Sequence, residues 1–134
     1  MITLMSDDKP FVLAVYDNPQ LPAFIKRSLE LEGFRVITAE CGEDALEMLK
    51  KEKPDIILLD IALPGIDGHE TARRIRESSS VPILIMSARQ LAEDKARAFA
   101  AGADGYITKP VGAKELTARV RAVLRRTGSS NRRL

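Results

Sequence analysis

Three continuous apolar runs punctuate the chain: Phe11–Val15, Ile56–Leu59 and Pro82–Met86. None alternates with polar residues, so each predicts a strand buried on both faces of a parallel sheet. Two of them run out to a carboxylate, Asp17 and Asp60, and the third to a hydroxyl, Ser87. Arg35–Ala39 and Gly105–Thr108 read as shorter strands, the last leading into Lys109-Pro110. The segments between them carry helical spacing. Asn18-Pro19 signals a helix start, Phe24, Ile25, Leu29 and Glu32 follow one face, and Gly33 supplies a left-handed stop. Further helices are predicted over Glu43–Lys51 (Ala45, Leu46 and Leu49 inward), Gly68–Glu77 (Ala72 and Ile75) and Leu91–Ala101, which Gly102 stops. Leu116, Val120, Val123 and Leu124 mark the buried face of a last helix through about Arg126.

Strand and helix thus alternate five times with connections of a few residues. That order predicts an α/β fold, a parallel sheet with helices on both faces joined by right-handed crossovers. At 134 residues the chain is the size of one domain. Residues 1–10 read as a frayed N-terminus, 11–126 as the domain, and 127–134, Thr-Gly-Ser-Ser-Asn-Arg-Arg-Leu, as a linker or tail. No stretch approaches the ~20 apolar residues of a membrane span, and the first ten residues lack the pattern of a secretory leader. The lone Cys41 cannot form an internal disulfide and fits a reducing, cytoplasmic setting, most simply as a small residue near a helix start.

Net charge is only +2 but uneven: residues 113–134 hold seven Lys/Arg against one acid, a balance of +6 that leaves −4 for residues 1–112. No aromatic lies among those arginines and no recognition helix follows, so a solvated helix face is expected rather than direct nucleic-acid binding.

In a parallel sheet all strands end on one edge. Neighbouring strands lie ~4.8 Å apart, so Asp17, Asp60, Ser87 and Lys109 are expected to converge in one cleft. The chemistry is coherent. Two carboxylates call for a hard divalent cation such as Mg2+, which takes oxygen ligands and keeps waters. An ionised Asp needs no general base to attack phosphorus, and phosphoryl transfer asks for cationic and hydrogen-bonding groups around the transferred oxygens. Lys109 and Ser87 are of those types.

Five segments now carry a resemblance: Val-Leu-Ala-Val-Tyr-Asp-Asn-Pro (12–19), Pro-Asp-Ile-Ile-Leu-Leu-Asp (54–60), Leu-Pro-Gly-Ile-Asp-Gly (63–68), Met-Ser-Ala (86–88) and Gly-Ala-Asp-Gly-Tyr-Ile-Thr-Lys-Pro (102–110). In that order and spacing the chain resembles a receiver domain of two-component response regulators across residues 11–126, nearest to the winged-helix transcription-factor branch. The resemblance implies a flavodoxin-like, CheY-like doubly wound sheet of five strands in the order 2-1-3-4-5 with five helices. It implies that Asp60 is the phosphoacceptor of a sensor histidine kinase, and that Asp17, Asp60 and the backbone carbonyl of Ala62 bind Mg2+. Ser87 and Lys109 would hold the phosphoryl oxygens, and Ser87 with Tyr106 would form the switch. A cis Lys109-Pro110 bond is also implied. Output would pass through the face made by the fourth helix, fifth strand and fifth helix, as homodimerisation or partner binding, with a C-terminal output domain possible in a longer chain.

Two departures matter. The family's strand 1 usually ends in two acids, whereas here Tyr16 stands in place of the first, which predicts a weaker Mg2+ site and a phenol that hydrogen-bonds in the cleft or shields it. Gly105 stands where that branch often has an acid, removing a partner for Arg119, although Lys95 and Glu115 remain able to pair between subunits. Tyr16 keeps an alternative open: a pseudo-receiver that acts as a phosphorylation-independent interaction module. A nucleotide-binding enzyme is disfavoured, since no Gly-x-Gly-x-x-Gly or Gly-Lys-Ser/Thr loop follows a strand. His69, Glu40 and Arg89 read as solvated or surface charge, and Asp67 as a turn or cap residue.

Overall fold

A computed structural model describes residues 9–17, 20–89 and 91–126. The expected helix start at Asn18-Pro19, most of the segment expected to be a frayed N-terminus, and residues 127–134, expected as a linker or tail, lie outside the described residues. The apolar runs form the strands β1 (Phe11–Val15), β3 (Ile56–Asp60) and β4 (Ile83–Ser87), every residue of which is buried. β2 (Arg35–Ala39) and β5 (Gly105–Thr108) complete the sheet. All pairings are parallel and the order is β2-β1-β3-β4-β5, the doubly wound arrangement expected.

Alternate strand residues face opposite layers, because successive side chains point to opposite sides. Val12, Ala14, Ile56, Leu58 and Leu84 face the layer of α1 (Gln20–Leu31) and α5 (Ala113–Leu124). Leu13, Val15, Ile57, Leu59 and Ile85 face the layer of α2 (Gly42–Met48), α3 (Gly68–Arg76) and α4 (Ala92–Ala100). Ile25 and Leu29 anchor α1, and Leu116, Val120, Val123 and Leu124 anchor α5.

Three local expectations change. Phe24 is 45% exposed, because it and Ile25 sit ~100° apart on the helix and only Ile25 faces the sheet. α2 stops at Met48 rather than Lys51: Lys50-Lys51-Glu52-Lys53 has no apolar side chain to hold another turn against the sheet. Leu46 and Leu49 are only partly buried. The caps behave as the sequence suggests. Cys41 is the N-cap of α2, its Sγ accepting the Asp44 N–H at 3.4 Å, and Asp67 caps α3 by accepting the Glu70 N–H at 2.9 Å. Gly33 ends α1 with φ of +94°, a conformation that favours glycine.

Candidate functional site

The carboxyl edge of the sheet carries the site. The last residue of β3, Asp60, is buried to 4% exposure, and its Oδ2 lies 2.7 Å from Lys109 Nζ. Lys109 follows β5 and reaches Asp60 across the end of β4, where its N–H donates to the Ser87 carbonyl at 2.8 Å. The Lys109-Pro110 peptide is cis. A carboxylate this buried needs a counter-charge, and Lys109 supplies it.

Asp60 Oδ1 accepts one long bond, from the Ala62 N–H at 3.2 Å. A carboxylate oxygen offers two lone pairs, so Oδ1 retains capacity for another partner. Val15 pairs with Leu59 in the register of β1 and β3, which carries Tyr16 and Asp17 alongside Asp60 and the residue after it. Asp17 is exposed. Among the described residues no three or more His, Cys, Asp or Glu side chains gather as metal ligands. A cation here would rest on two carboxylates, the Ala62 carbonyl and water. Those are hard oxygen donors, and the set fits Mg2+, which keeps several waters.

Tyr16 turns away from this edge. It is fully buried on the α1–α5 side, and its hydroxyl meets Met86 Sδ at 3.5 Å, a weak contact. Burial, and secondarily the negative charge of Asp60, push its phenol well above the ordinary value of 10. Among the described residues the phenol bonds to none of the site groups, and Asp17 stays exposed. The phenol fills the core beneath them as a neutral ring.

Around Ser87 a second set converges. Ser87 is 1% exposed and its Oγ accepts the Arg89 N–H at 3.0 Å. Tyr106 packs inward against the layer of α2, α3 and α4, and its hydroxyl donates to the Arg89 carbonyl at 2.8 Å. Asp60, Ser87 and Lys109 are therefore brought together, Tyr106 is tied to Ser87 through Arg89, and Asp17 stands at the rim. Arg119, which Gly105 leaves without an acid across the face, donates instead to the Tyr106 carbonyl at 3.2 Å. The part of Arg89 was missed in the sequence because its contacts with Ser87 and Tyr106 both use its backbone, which leaves no side-chain signature. His69 also departs from its solvated expectation: its Nε2 is buried.

Gly68 explains part of the local sequence. A Cβ there would stand 2.6 Å from the Asp60 carbonyl oxygen and 2.7 Å from Ile61 Cα, so only glycine lets α3 start against the end of β3.

Known proteins share the family and the fold. A family model described as the response regulator receiver domain matches residues 12–121. The transcriptional regulatory protein AfsQ1 of Streptomyces coelicolor is 44% identical over 117 residues, 87% of this chain and 52% of that protein. The chain spans about half the length of the curated relatives it matches. The structure of the Francisella response regulator 1452 receiver domain superposes with a TM-score of 0.84 at 32% identity, covering 89% of this chain and 99% of that one. The BeF3-activated N-terminal receiver domain of Klebsiella pneumoniae RstA gives 0.81 at 32% identity, covering 86% and 98%.

Proposed function

The chain belongs to the receiver domains of two-component response regulators, and from that premise we propose that it is a phosphorylation switch, its domain running from residue 11 to 126. One Asp60 carboxylate oxygen attacks the phosphorus of a sensor kinase's phosphohistidine, the P–N bond breaks, and its electron pair stays on the imidazole nitrogen. The product is an aspartyl phosphate. Asp17, Asp60 and the Ala62 carbonyl would hold Mg2+, which would supply charge neutralisation for the phosphoryl oxygens. Lys109 moves its ammonium from the bare carboxylate to a phosphoryl oxygen. Ser87 keeps a hydroxyl hydrogen to donate while its oxygen accepts from Arg89. The chain catalyses its own phosphorylation and dephosphorylation only.

The observation that carries this reading is the 2.7 Å contact between Lys109 and the buried Asp60 beside Ser87. Buried charge, cation and hydroxyl at one sheet edge suit phosphoryl transfer better than packing. When Ser87 bonds the phosphoryl group, the Arg89 loop shifts and Tyr106 with it. The change is read by partners or a second copy on the α4–β5–α5 face, where Lys95 and Glu115 are exposed. Placement in the cytoplasm accords with the kinase partner, and no helix of the described residues is long and apolar enough to cross a membrane. An output domain beyond this segment accords with the greater length of relatives such as AfsQ1.

Tyr16, fully buried where the family's first acid stands, favours a second reading, the pseudo-receiver. Incubation with acetyl phosphate and Mg2+, followed by mass spectrometry of wild type and Asp60→Ala, decides between them. The switch requires a phosphoryl adduct that depends on Asp60, whereas no adduct in the wild type leaves the interaction module. BeF3−, the activator of the RstA receiver domain, is expected to move the NMR signals of Ser87 and Tyr106.

A further inference from the structure

Arg89 sits at a junction. Its N–H donates to Ser87 Oγ, its carbonyl accepts from Tyr106, and its Nε lies 3.3 Å from Asp94 Oδ1. Among the described residues, the other oxygen of that carboxylate, Asp94 Oδ2, is buried without a hydrogen-bond partner, and so is His69 Nε2. Both residues line one polar cavity of about 220 Å3 that also reaches Ser87, Arg89 and Tyr106. His69 belongs to the first turn of α3 and Asp94 to the first turn of α4, so the cavity is a seam between the two helices.

Each orphaned atom carries the desolvation cost of a polar group without its bond. In the neutral tautomer with its hydrogen on Nδ1, His69 Nε2 is an acceptor, as is a carboxylate oxygen. A neutral imidazole can offer a hydrogen at only one of its two nitrogens and carries no charge, whereas an added proton puts a hydrogen on Nε2 in either tautomer and a positive charge beside the Asp94 carboxylate.

We propose that His69 is a proton-binding site governing Arg89: its protonation makes the ring a cation with a hydrogen on Nε2, draws the Asp94 carboxylate from Arg89, and loosens the link that the Arg89 backbone makes between Ser87 and Tyr106. The groups facing the imidazole are Asp67 at the cap of α3, Asp94 and Arg97 of α4, Arg89 of the loop and Tyr106 of β5. Burial, then the Arg97 charge, hold the imidazole below its ordinary value of 6.5, while Asp67 and Asp94 pull the other way. Arg89 is therefore held as observed at neutral pH and released on the acid side. This device concerns the unphosphorylated chain and goes beyond the phosphoryl reading: it holds whether or not Asp60 accepts a phosphoryl group.

His69 is the chain's only histidine, so its imidazole resonances are unambiguous. NMR titration of the full chain between about pH 8 and about pH 5 brackets the imidazole range and tests the device. The imidazole midpoint should fall below 6.5, with the backbone amides of Ser87, Arg89 and Tyr106 moving at that same midpoint. His69→Gln should abolish the shared transition. Asp94→Asn should lower the imidazole midpoint further and uncouple the amides from it. An imidazole that does not titrate in this range, amides that stay still while it does, or amides that titrate unchanged in His69→Gln would overturn the proposal.

Discussion

Lys109 Nζ and Asp60 Oδ2 lie 2.7 Å apart although 49 residues separate them in sequence, and the Asp60 side chain is nearly out of water whereas the Lys109 side chain is a quarter exposed. The pair is asymmetric: Lys109 can swing its head into solvent, and Asp60 cannot.

Lys109→Met should therefore cost more stability than Asp60→Asn. Removing the cation strands a buried carboxylate, a loss of about 1–3 kcal/mol after allowing for the partial exposure of the pair. Asp60→Asn leaves an amide that still accepts the Ala62 N–H and a lysine free to hydrate, and should stay within about 1 kcal/mol of wild type. Urea unfolding of both variants gives the comparison. Equal losses would contradict the asymmetry.

Tyr16 sets an alkaline limit. Its phenol is raised well above 10 in the folded chain, whereas in the unfolded chain it ionises near 10. Above that value the unfolded state holds fewer protons, so stability falls as pH rises; below it the contribution is fully present. Tyr16→Phe should remove this part of the alkaline loss and, having given up only a weak contact to Met86, should cost under about 1 kcal/mol at neutral pH. Chemical denaturation at about pH 7 and about pH 10.5 measures both effects.

Tyr16→Asp restores a negative charge beside the proposed metal ligands. One added charge at this range is worth roughly 1 kcal/mol at an effective dielectric near 20 or higher, so Mg2+ affinity should rise about three- to tenfold. The same variant should lose stability without metal, because the carboxylate replaces a fully buried ring. Mg2+ titration monitored by NMR, with unfolding in the presence and absence of the ion, separates the two terms. Unchanged affinity would place the metal elsewhere.

Gly68→Ala should be costly out of proportion to one methyl group. Its Cβ meets backbone atoms of Asp60 and Ile61 under 3.0 Å, and backbone cannot rotate aside as a side chain can. A loss of about 2–3 kcal/mol is expected, with displaced Asp60 and Ile61 amide resonances. A neutral substitution would mean that α3 shifts freely against β3.

Asp104 joins three elements. Its Oδ2 accepts from Arg76 Nη2 at 2.8 Å and from the N–H of Ile83 at 2.9 Å, which ties the entry of β5 to α3 and the start of β4. Asp104→Ala leaves the Ile83 N–H without that acceptor and should cost about 1–3 kcal/mol. Asp104→Asn keeps an oxygen for that bond and should recover part of the loss. Thermal unfolding of the two variants reads the difference.

The sheet was legible in the chain because fully buried strands leave an unmistakable trace. Phe11–Val15 and Ile56–Leu59 have no polar alternation, and short runs of that kind, bounded by turn signals, suit strands buried on both faces. The ends of strands are equally visible, so Asp60, Ser87 and Lys109 could be placed on one edge from their positions alone. Tyr106 and Tyr16 could be singled out but not oriented. Which layer each ring enters depends on the register of its strand and on helices remote in sequence.

What the sequence by itself determined is the alternation of strands and helices and the set of residue types at the carboxyl edge, since both follow from local pattern. The tertiary structure alone decided the rest. Tyr16 went into the α1–α5 layer against Met86, Arg119 turned to the Tyr106 carbonyl in place of the acid missing at Gly105, and His69 and Asp94 came to share a cavity. These relationships join separate elements through burial and through hydrogen bonds to backbone. Neither leaves a periodicity or a motif in the order of the residues.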